Sequence, residues 1–504
     1  MIGQQGILDD TDIARLREAL ATARFTQKGV AARLGPAAVA AAGREDFRAT
    51  LAVTAPGSAR ASRQEFGQGD GDTLATLIRL FLASQTEPEA AVARALGGLP
   101  LERALEGGLL ERSGDGVRAA VDLDIYGDWW VVADLPSGVR PGPLPADHVL
   151  GVGNASMTLA ESTIRRPVGT ALDLGTGCGV QALHLSEHAR RVTGTDLSER
   201  ALRFAATTAA LNGLDWELLH GDLLAPVADR RFDLVVSNPP FIVGPGVTTH
   251  TYRDSGRPGD GVCSELAAAA PRLLNEGGTL QYLANWVHVA GERWEDRVTG
   301  WFAGTGCDLW VIQREVTEPL DYVRLWLADA SEGHDPRRAA AWLDWFDQHK
   351  IEAVGFGLIT ARLSGRDDPT VVCEDLRQTI AGPLGPEVEQ WYARQDWLAA
   401  HDLEHLLGTR FRLADGVILR QEAVLGPDGW AVERQILEQQ HGLRWAEEID
   451  PLIVSLVGGC DGTVPLRELV ALLATAHEAP AELLGVALSG MVRHLVERGI
   501  LIPA

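Results

Sequence analysis

The chain has 504 residues, 45 basic against 69 acidic side chains, a net charge of −24 at pH 7 and 46% apolar residues. At about 150 residues per domain this length implies two to four domains with cores of their own, and the apolar content excludes a disordered or fibrous chain. The acidic balance argues against a broad, non-specific grip on phosphate backbones, which depends on lysine and arginine displacing counterions.

From Thr11 to about Leu105 apolar residues recur three or four apart, in TDIARLREALATARF, VAARLG, PAAVAAAG and DTLATLIRLFLASQ, with Gly or Pro at the breaks. That spacing predicts a small bundle of short helices. The bundle passes into GLLERSGDGVRAAVDLDIYGDWWVVADL, whose β-branched and aromatic residues around an SGDG turn predict hairpin structure. Helices followed by a hairpin resemble a winged-helix layout. Trp129 and Trp130 fall inside a β-like run and are expected to pack the hairpin rather than stack on a base. Residues 136–148, PSGVRPGPLPADH, are dense in proline and glycine and mark a domain edge. This sets an amino-terminal domain at residues 1–145.

After the break the rhythm changes. TALDLG, RVTGTDLS, WELLHGD, FDLVVSNPP and TLQYLANW are short apolar runs separated by helical segments such as RALRFAATTAALNG and SELAAAAPRLLNEGG. This alternation predicts a doubly wound, Rossmann-like α/β fold on a parallel sheet buried on both faces. CDLWVIQREV and IEAVGFGLITARL are expected to finish the same sheet, giving a core domain at 146–365. Residues 366–504 read as a mixed α/β domain that ends in three helices and a closing strand, again winged-helix-like.

Asp173-Leu174-Gly175-Thr176-Gly177-Cys178-Gly179 follows the first core strand and opens a helix. Glycines there let the backbone turn sharply and approach a ligand without a Cβ in the way. Asp196 ends the next strand, where a carboxylate can accept hydrogen bonds from both hydroxyls of a ribose. The pair fits an NAD site or an adenosine site. The dinucleotide fingerprint, however, requires G-x-G-x-x-G, and here the spacing is G-x-G-x-G with Val180 in the final place. An acidic residue leading the loop repels a pyrophosphate but suits the ammonium of S-adenosylmethionine, which carries ribose and adenine without phosphate.

Residues 232–241, FDLVVSNPPF, run an apolar strand into Asn238, after which Pro239 and Pro240 fix the backbone. The segment ends the fourth strand, at the sheet edge where open α/β folds bind ligands. An exocyclic or amide NH₂ is a poor nucleophile because its lone pair is delocalised. Two acceptors, the Asn238 side-chain oxygen and the Pro239 carbonyl, can take its hydrogens and aim the lone pair at an electrophilic methyl, while Phe241 offers a stacking face.

With these residues the chain resembles the class I S-adenosylmethionine-dependent methyltransferases of the (N/D)PP(Y/F) N-methylating type, which include ribosomal guanine and adenine N-methyltransferases and the HemK-type glutamine methyltransferases. The likeness runs from about Leu150 to Trp286. It implies a cofactor loop at Asp173, Gly175, Thr176, Gly177 and Gly179, a ribose acid at Asp196 with Leu197 on the adenine side, an adenine-edge site at Asp222 and Leu223, and a catalytic motif at Asn238, Pro239, Pro240 and Phe241. Phenylalanine in SNPPF is similar to the ribosomal enzymes, whereas the layout of YRDSGRPGDGVCSELAAAAPRLLNEGG is similar to the glutamine enzymes. The expected activity is methyl transfer to a planar NH₂ or amide nitrogen of a macromolecule, an RNA base ahead of a protein glutamine. The alternatives are a non-catalytic cofactor-binding regulator and, further off, an NAD-dependent oxidoreductase.

Other signals are weaker. His184 and His188 stand one helical turn apart without an evident third ligand, so no metal is expected. The doublets Arg165-Arg166, Arg190-Arg191 and Arg230-Arg231 read as ordinary surface charge. The five cysteines, Cys178, Cys263, Cys307, Cys373 and Cys460, form no CxxC and fit a reducing cytoplasm. No stretch approaches the ~18 apolar residues that span a bilayer, and the first thirty residues hold no apolar signal core. The expected location is cytoplasmic, with no membrane partner.

Overall fold

The apolar runs between residues 168 and 375 become one sheet in the computed structural model, which describes residues 6–44, 46–56, 70–139, 144–248, 252–329, 336–427 and 429–504. Its strands are β1 (Val168–Leu174), β2 (Ala189–Asp196), β3 (Trp216–His220), β4 (Phe232–Ser237), β5 (Leu274–Val289), β6 (Cys307–Thr317), β7 (Ile351–Leu363) and β8 (Val371–Asp375). The spatial order is β8-β6-β7-β5-β4-β1-β2-β3. The chain winds outward from β1 in one direction through β2 and β3, then returns to β4 and winds the other way, which makes this the doubly wound, Rossmann-like α/β core expected. Strand interiors such as Leu172, Leu234, Val235, Leu280 and Ile359 are fully buried, as a sheet covered on both faces requires.

One expectation needs correcting: the sheet is not wholly parallel. β7 runs antiparallel to both neighbours, β5 and β6. The helices Pro319–Asp329 and Pro336–Gln348 leave β6 at its carboxyl end and deliver the chain to Ile351, which pairs with Val289 at the carboxyl end of β5. The connection returns at the same sheet edge instead of crossing over, so the strand must reverse.

By compactness the chain divides into two units, one of residues 1–160 with 166–376, the other of 161–165 with 377–504. In the first, short helical segments between Asp10 and Glu106 precede two hairpins, Leu110–Ser113 with Gly116–Ala119 and Asp122–Tyr126 with Trp129–Ala133. The expected linker at 136–148 lies partly outside the described residues, at 140–143. The strand Trp129–Ala133 lies against helix α2 (Glu199–Asn212) of the core. Its backbone is satisfied there by side chains: Trp130 N donates to Asn212 Oδ1 (3.0 Å), Asn212 Nδ2 donates to Trp130 O (2.7 Å) and Val132 N donates to Thr208 Oγ1 (3.2 Å). Trp130 Nε1 donates to Phe25 O, so this indole ties the hairpin to the helical segments that precede it.

The second unit holds the predicted closing helices Pro451–Gly458, Leu466–Ala476 and Ala481–Glu497 and the final strand Leu501–Pro503. That strand pairs with Arg410–Leu413, which also pairs with Asp461–Pro465. A separate ribbon is made of Val417–Gly426, Gly429–Gln439 and Ala446–Glu448. Among the described residues no single helix is long and apolar enough to cross a membrane.

Candidate functional site

The site forms where β1 and β4 lie side by side, the point at which the winding direction changes. Ser237 Oγ donates to Leu174 O (2.8 Å), binding the last residue of β4 to the last of β1. The loops that leave these two strands therefore emerge at one place.

After β1 the chain enters a left-handed backbone at Gly175, Gly177 and Gly179, with φ of 76°, 55° and 93°. Gly179 caps helix α1 (Val180–Leu185), which precedes α2 in the chain. The amides of Gly175 and Thr176 both donate to Thr195 O at the end of β2. A Cβ at Gly175 or Gly177 would meet nothing within 4 Å, whereas one at Gly179 would lie 2.6 Å from the Trp216 ring. The first two glycines thus border open space and the third makes room for an indole.

Asp173 is 1% exposed. Its Oδ2 accepts from Thr176 Oγ1 (2.7 Å) and Ala182 N (3.0 Å), while Oδ1 is buried without a hydrogen-bond partner. Burial pushes its carboxyl up to about 7, against the stabilising pull of those two donors. Asp196 is half-buried; Oδ2 accepts from Gly177 N (2.9 Å) and Oδ1 from Ser198 N (2.8 Å). Each oxygen keeps a further lone pair for a hydroxyl donor. Burial raises this carboxyl as well.

Leu197 is 53% exposed beside Asp196. Across from it, His220 Nε2 donates to Leu197 O (2.9 Å), which joins the ends of β2 and β3. Asp222 is exposed and pairs with Arg257 (3.3 Å) from the segment after the Asn-Pro-Pro-Phe motif. Leu223 has φ of 45°, a left-handed conformation unusual for a branched side chain and of the kind held at ligand sites.

Asn238 is half-buried, and its Oδ1 lies out of solvent with no hydrogen-bond partner. Pro239 and Pro240 carry the chain into Phe241, and here the structure departs from the expected open stacking platform. Phe241 is 8% exposed, its ring 5.7 Å from that of Phe356 and 6.4 Å, edge-on, from that of Trp326. These two aromatics, from β7 and from the helix Pro319–Asp329, bury it as a core residue would be buried. The chain beyond is pinned by the same region: Val243 N donates to Tyr322 OH (2.9 Å), and Trp342 Nε1 donates to Val243 O (2.9 Å). Asn285 Nδ2 donates to Tyr322 OH (2.7 Å) while its Oδ1 is buried and unpartnered. Tyr322, Asn285, Trp326 and Phe356 went unread in the sequence because they come from distant elements with no spacing that ties them to the motif.

His184 contacts Tyr126 OH (2.9 Å) and the Trp129 ring, and His188 Nδ1 donates to Arg166 O. Among the described residues no group of three or more His, Cys, Asp or Glu side chains is arranged to hold a metal ion. Of the arginine doublets, Arg230 pairs with Glu217 (2.7 Å), and Arg231 donates to Pro271 O and Leu274 O.

The family profile of the methyltransferase small domain matches residues 151–293, a span that holds the loop, both ribose-side strands and the Asn-Pro-Pro-Phe segment. The profiles of two domains of unknown function, DUF7059 and DUF7782, match residues 22–120 and 389–503, on either side of that span. The ribosomal RNA small subunit methyltransferase C of Alcanivorax borkumensis is 34% identical over 165 residues, covering 32% of this chain and 46% of the relative. The release factor glutamine methyltransferase of Geobacter sulfurreducens is 34% identical over 172 residues, covering 31% and 58%. The chain thus spans about half the length of the curated relatives it matches. A solved ribosomal protein L11 methylase from Lactobacillus delbrueckii subsp. bulgaricus is 25% identical, covering 31% of this chain and 68% of that one at a TM-score of 0.23. The family match and the two curated relatives bear out the resemblance to N-methylating enzymes of this class.

Proposed function

We propose that the chain is an S-adenosylmethionine-dependent N-methyltransferase that modifies a planar NH₂ group on an RNA base. The observation that carries this reading is the buried, unpartnered Oδ1 of Asn238, held at the end of β4 next to the end of β1. A buried acceptor left unsatisfied costs free energy, about 1 to 3 kcal/mol, unless a donor arrives. A target amino group is such a donor.

The cofactor fits the residues on the other side of the switch point. Open space borders Gly175 and Gly177, the free Asp173 oxygen suits an ammonium, Asp196 retains lone pairs for ribose hydroxyls and the exposed Leu197 suits the face of an adenine. When bound, S-adenosylmethionine supplies a methyl group activated by the sulfonium. Asn238 Oδ1 and the Pro239 carbonyl take the two hydrogens of the target nitrogen and free its lone pair for in-line attack. The proton lost from the alkylated nitrogen passes to water or a carbonyl, so no strong base is required.

The ribosomal RNA relatives support an RNA base as the target. A protein glutamine is the second reading, favoured by the covered ring of Phe241, which leaves less stacking area than a base requires, and by the release factor relative. The test is incubation of the protein with radiolabelled methyl donor and cell extract, followed by separate nuclease and protease digestion. Label released by nuclease supports the RNA reading and label released by protease the glutamine reading. Absence of transfer to any fraction would overturn the enzyme reading in favour of a non-catalytic binder.

A further inference from the structure

The ribbon of the second unit has an edge that most proteins would guard. Its three strands are ordered Val417–Gly426, Gly429–Gln439, Ala446–Glu448, so the ten-residue strand Val417–Gly426 lies at the margin with no further strand on its outer side among the described residues. Natural edge strands are blunted by brevity, proline, charged side chains or a bulge. VILRQEAVLG is long and free of proline, its two charges, Arg420 and Glu422, are of opposite sign, and the ribbon's bulge places its extra residue, Glu433, on the neighbouring strand, so the edge strand itself runs regularly. Apolar side chains are exposed along it, Ile418 at 45%, Val424 at 51% and Leu425 at 65%, with Trp430 at 73% directly across from Leu425.

The strand is complementary to its own reverse. Set antiparallel to a second copy about Gln421, Arg420 faces Glu422, Ile418 faces Val424, Leu419 faces Ala423 and Val417 faces Leu425, each pairing occurring twice by symmetry. Arg420 already pairs with Glu438 (3.3 Å) and Glu422 with Arg434 (3.8 Å) across the ribbon, and each of the two side chains stays about half exposed and within reach of a partner strand. Sliding by two residues in either direction sets Arg420 on Arg420 or Glu422 on Glu422, and an odd slide sets charge against apolar side chains. Charge and hydrophobic pattern select one register.

We propose that Val417–Gly426 is a self-association edge, through which two copies of the chain join their ribbons into one continuous antiparallel sheet about a two-fold axis at Gln421. The occupant is a second copy because the strand's charges and apolar side chains are together complementary to its own sequence reversed. Backbone hydrogen bonds along the edge supply the attachment, and the Ile418–Val424 and Val417–Leu425 contacts remove exposed apolar surface.

The test is sedimentation equilibrium of the full chain over a dilution series, with three variants. Within its own ribbon Ile418 lies across from Glu438 and Val424 across from Ala431, so neither Ile418→Lys nor Val424→Glu meets a like charge directly across the ribbon. Each alone sets a charge against an apolar partner across the two-fold axis and is expected to weaken self-association by about tenfold or more. The double variant, I418K with V424E, sets a lysine opposite a glutamate twice across the axis and is expected to restore it. Circular dichroism melts of all three verify that the ribbon unit stays folded. A wild-type chain that is monomeric at every concentration, a dimer indifferent to the single variants, or a double variant that fails to recover would each overturn the proposal.

Discussion

Gly177 and Gly179 share a loop, a left-handed backbone and a residue type, yet alanine at each should fail in a different way. At Gly177, with φ of 55°, an added Cβ meets open space, so the cost to folding is the left-handed backbone alone, about 1 to 2 kcal/mol. The methyl group would stand in the space assigned to the cofactor. At Gly179, with φ of 93°, the Cβ would lie 2.6 Å from the Trp216 ring, and Trp216 Nε1 is held by a 2.8 Å hydrogen bond to Ser186 Oγ, so the indole has little room to retreat. Backbone strain and overpacking together should cost about 2 to 5 kcal/mol. Thermal unfolding without ligand and calorimetric titration with S-adenosylhomocysteine separate the two effects. Gly177→Ala is expected to melt within a few degrees of the wild type and to bind at least about tenfold more weakly, a loss near 1.4 kcal/mol. Gly179→Ala is expected to melt markedly lower. Wild-type affinity in Gly177→Ala would remove the ligand from that loop, and equal stability of the two variants would refute the packing argument.

Asn238→Ala should lower methyl transfer by about 10² to 10³ while cofactor affinity stays within a few-fold, since the lost acceptor serves only the target nitrogen; single-turnover rates and a binding titration check both halves. Phe241→Ala should destabilise the fold by about 3 to 5 kcal/mol, because the ring is enclosed by Trp326 and Phe356; a denaturation midpoint unchanged from wild type would return Phe241 to the role of an open platform. Asp173, raised from 3.8 to about 7 by burial, contributes stability that is full below pH 3.8 and lost as pH rises through 7. A cofactor ammonium favours the ionised carboxylate, so affinity should fall as pH drops below about 7 and binding at pH 6 should release a proton. Calorimetry in buffers of different ionisation enthalpy measures that proton, and Asp173→Asn should abolish its release.

Local chemistry was readable from the residues alone. A strand, an acid and spaced glycines sit within a few positions of one another, and the structure finds them in the turn they imply, with Asp173 bonded to the Thr176 hydroxyl and Asp196 to the Gly177 amide. The alternation of apolar runs likewise disclosed the layered sheet. Strand direction was not readable, because an apolar run is equally apolar in either sense, and the reversal of β7 depends on where two helices return the chain. The burial of Phe241 was hidden for a related reason. Its neighbours come from β7 and from the helix after β6, and nothing in Asn-Pro-Pro-Phe announces what will lie above it. The backbone of Leu223 was equally invisible, since a left-handed leucine follows no propensity.

The pins on Val243 have a consequence for how this molecule can change. Tyr322 and Trp342, which hold its amide and carbonyl, lie 79 and 99 residues further along, both in the helical excursion between β6 and β7. The donor side of the switch point, by contrast, is assembled from β1, β2 and their turns, within a few dozen residues. The two halves of the site are therefore drawn from different stretches of chain. Substitutions in the excursion are therefore expected to reshape the target side of the proposed site while the turns after β1 and β2 keep their form.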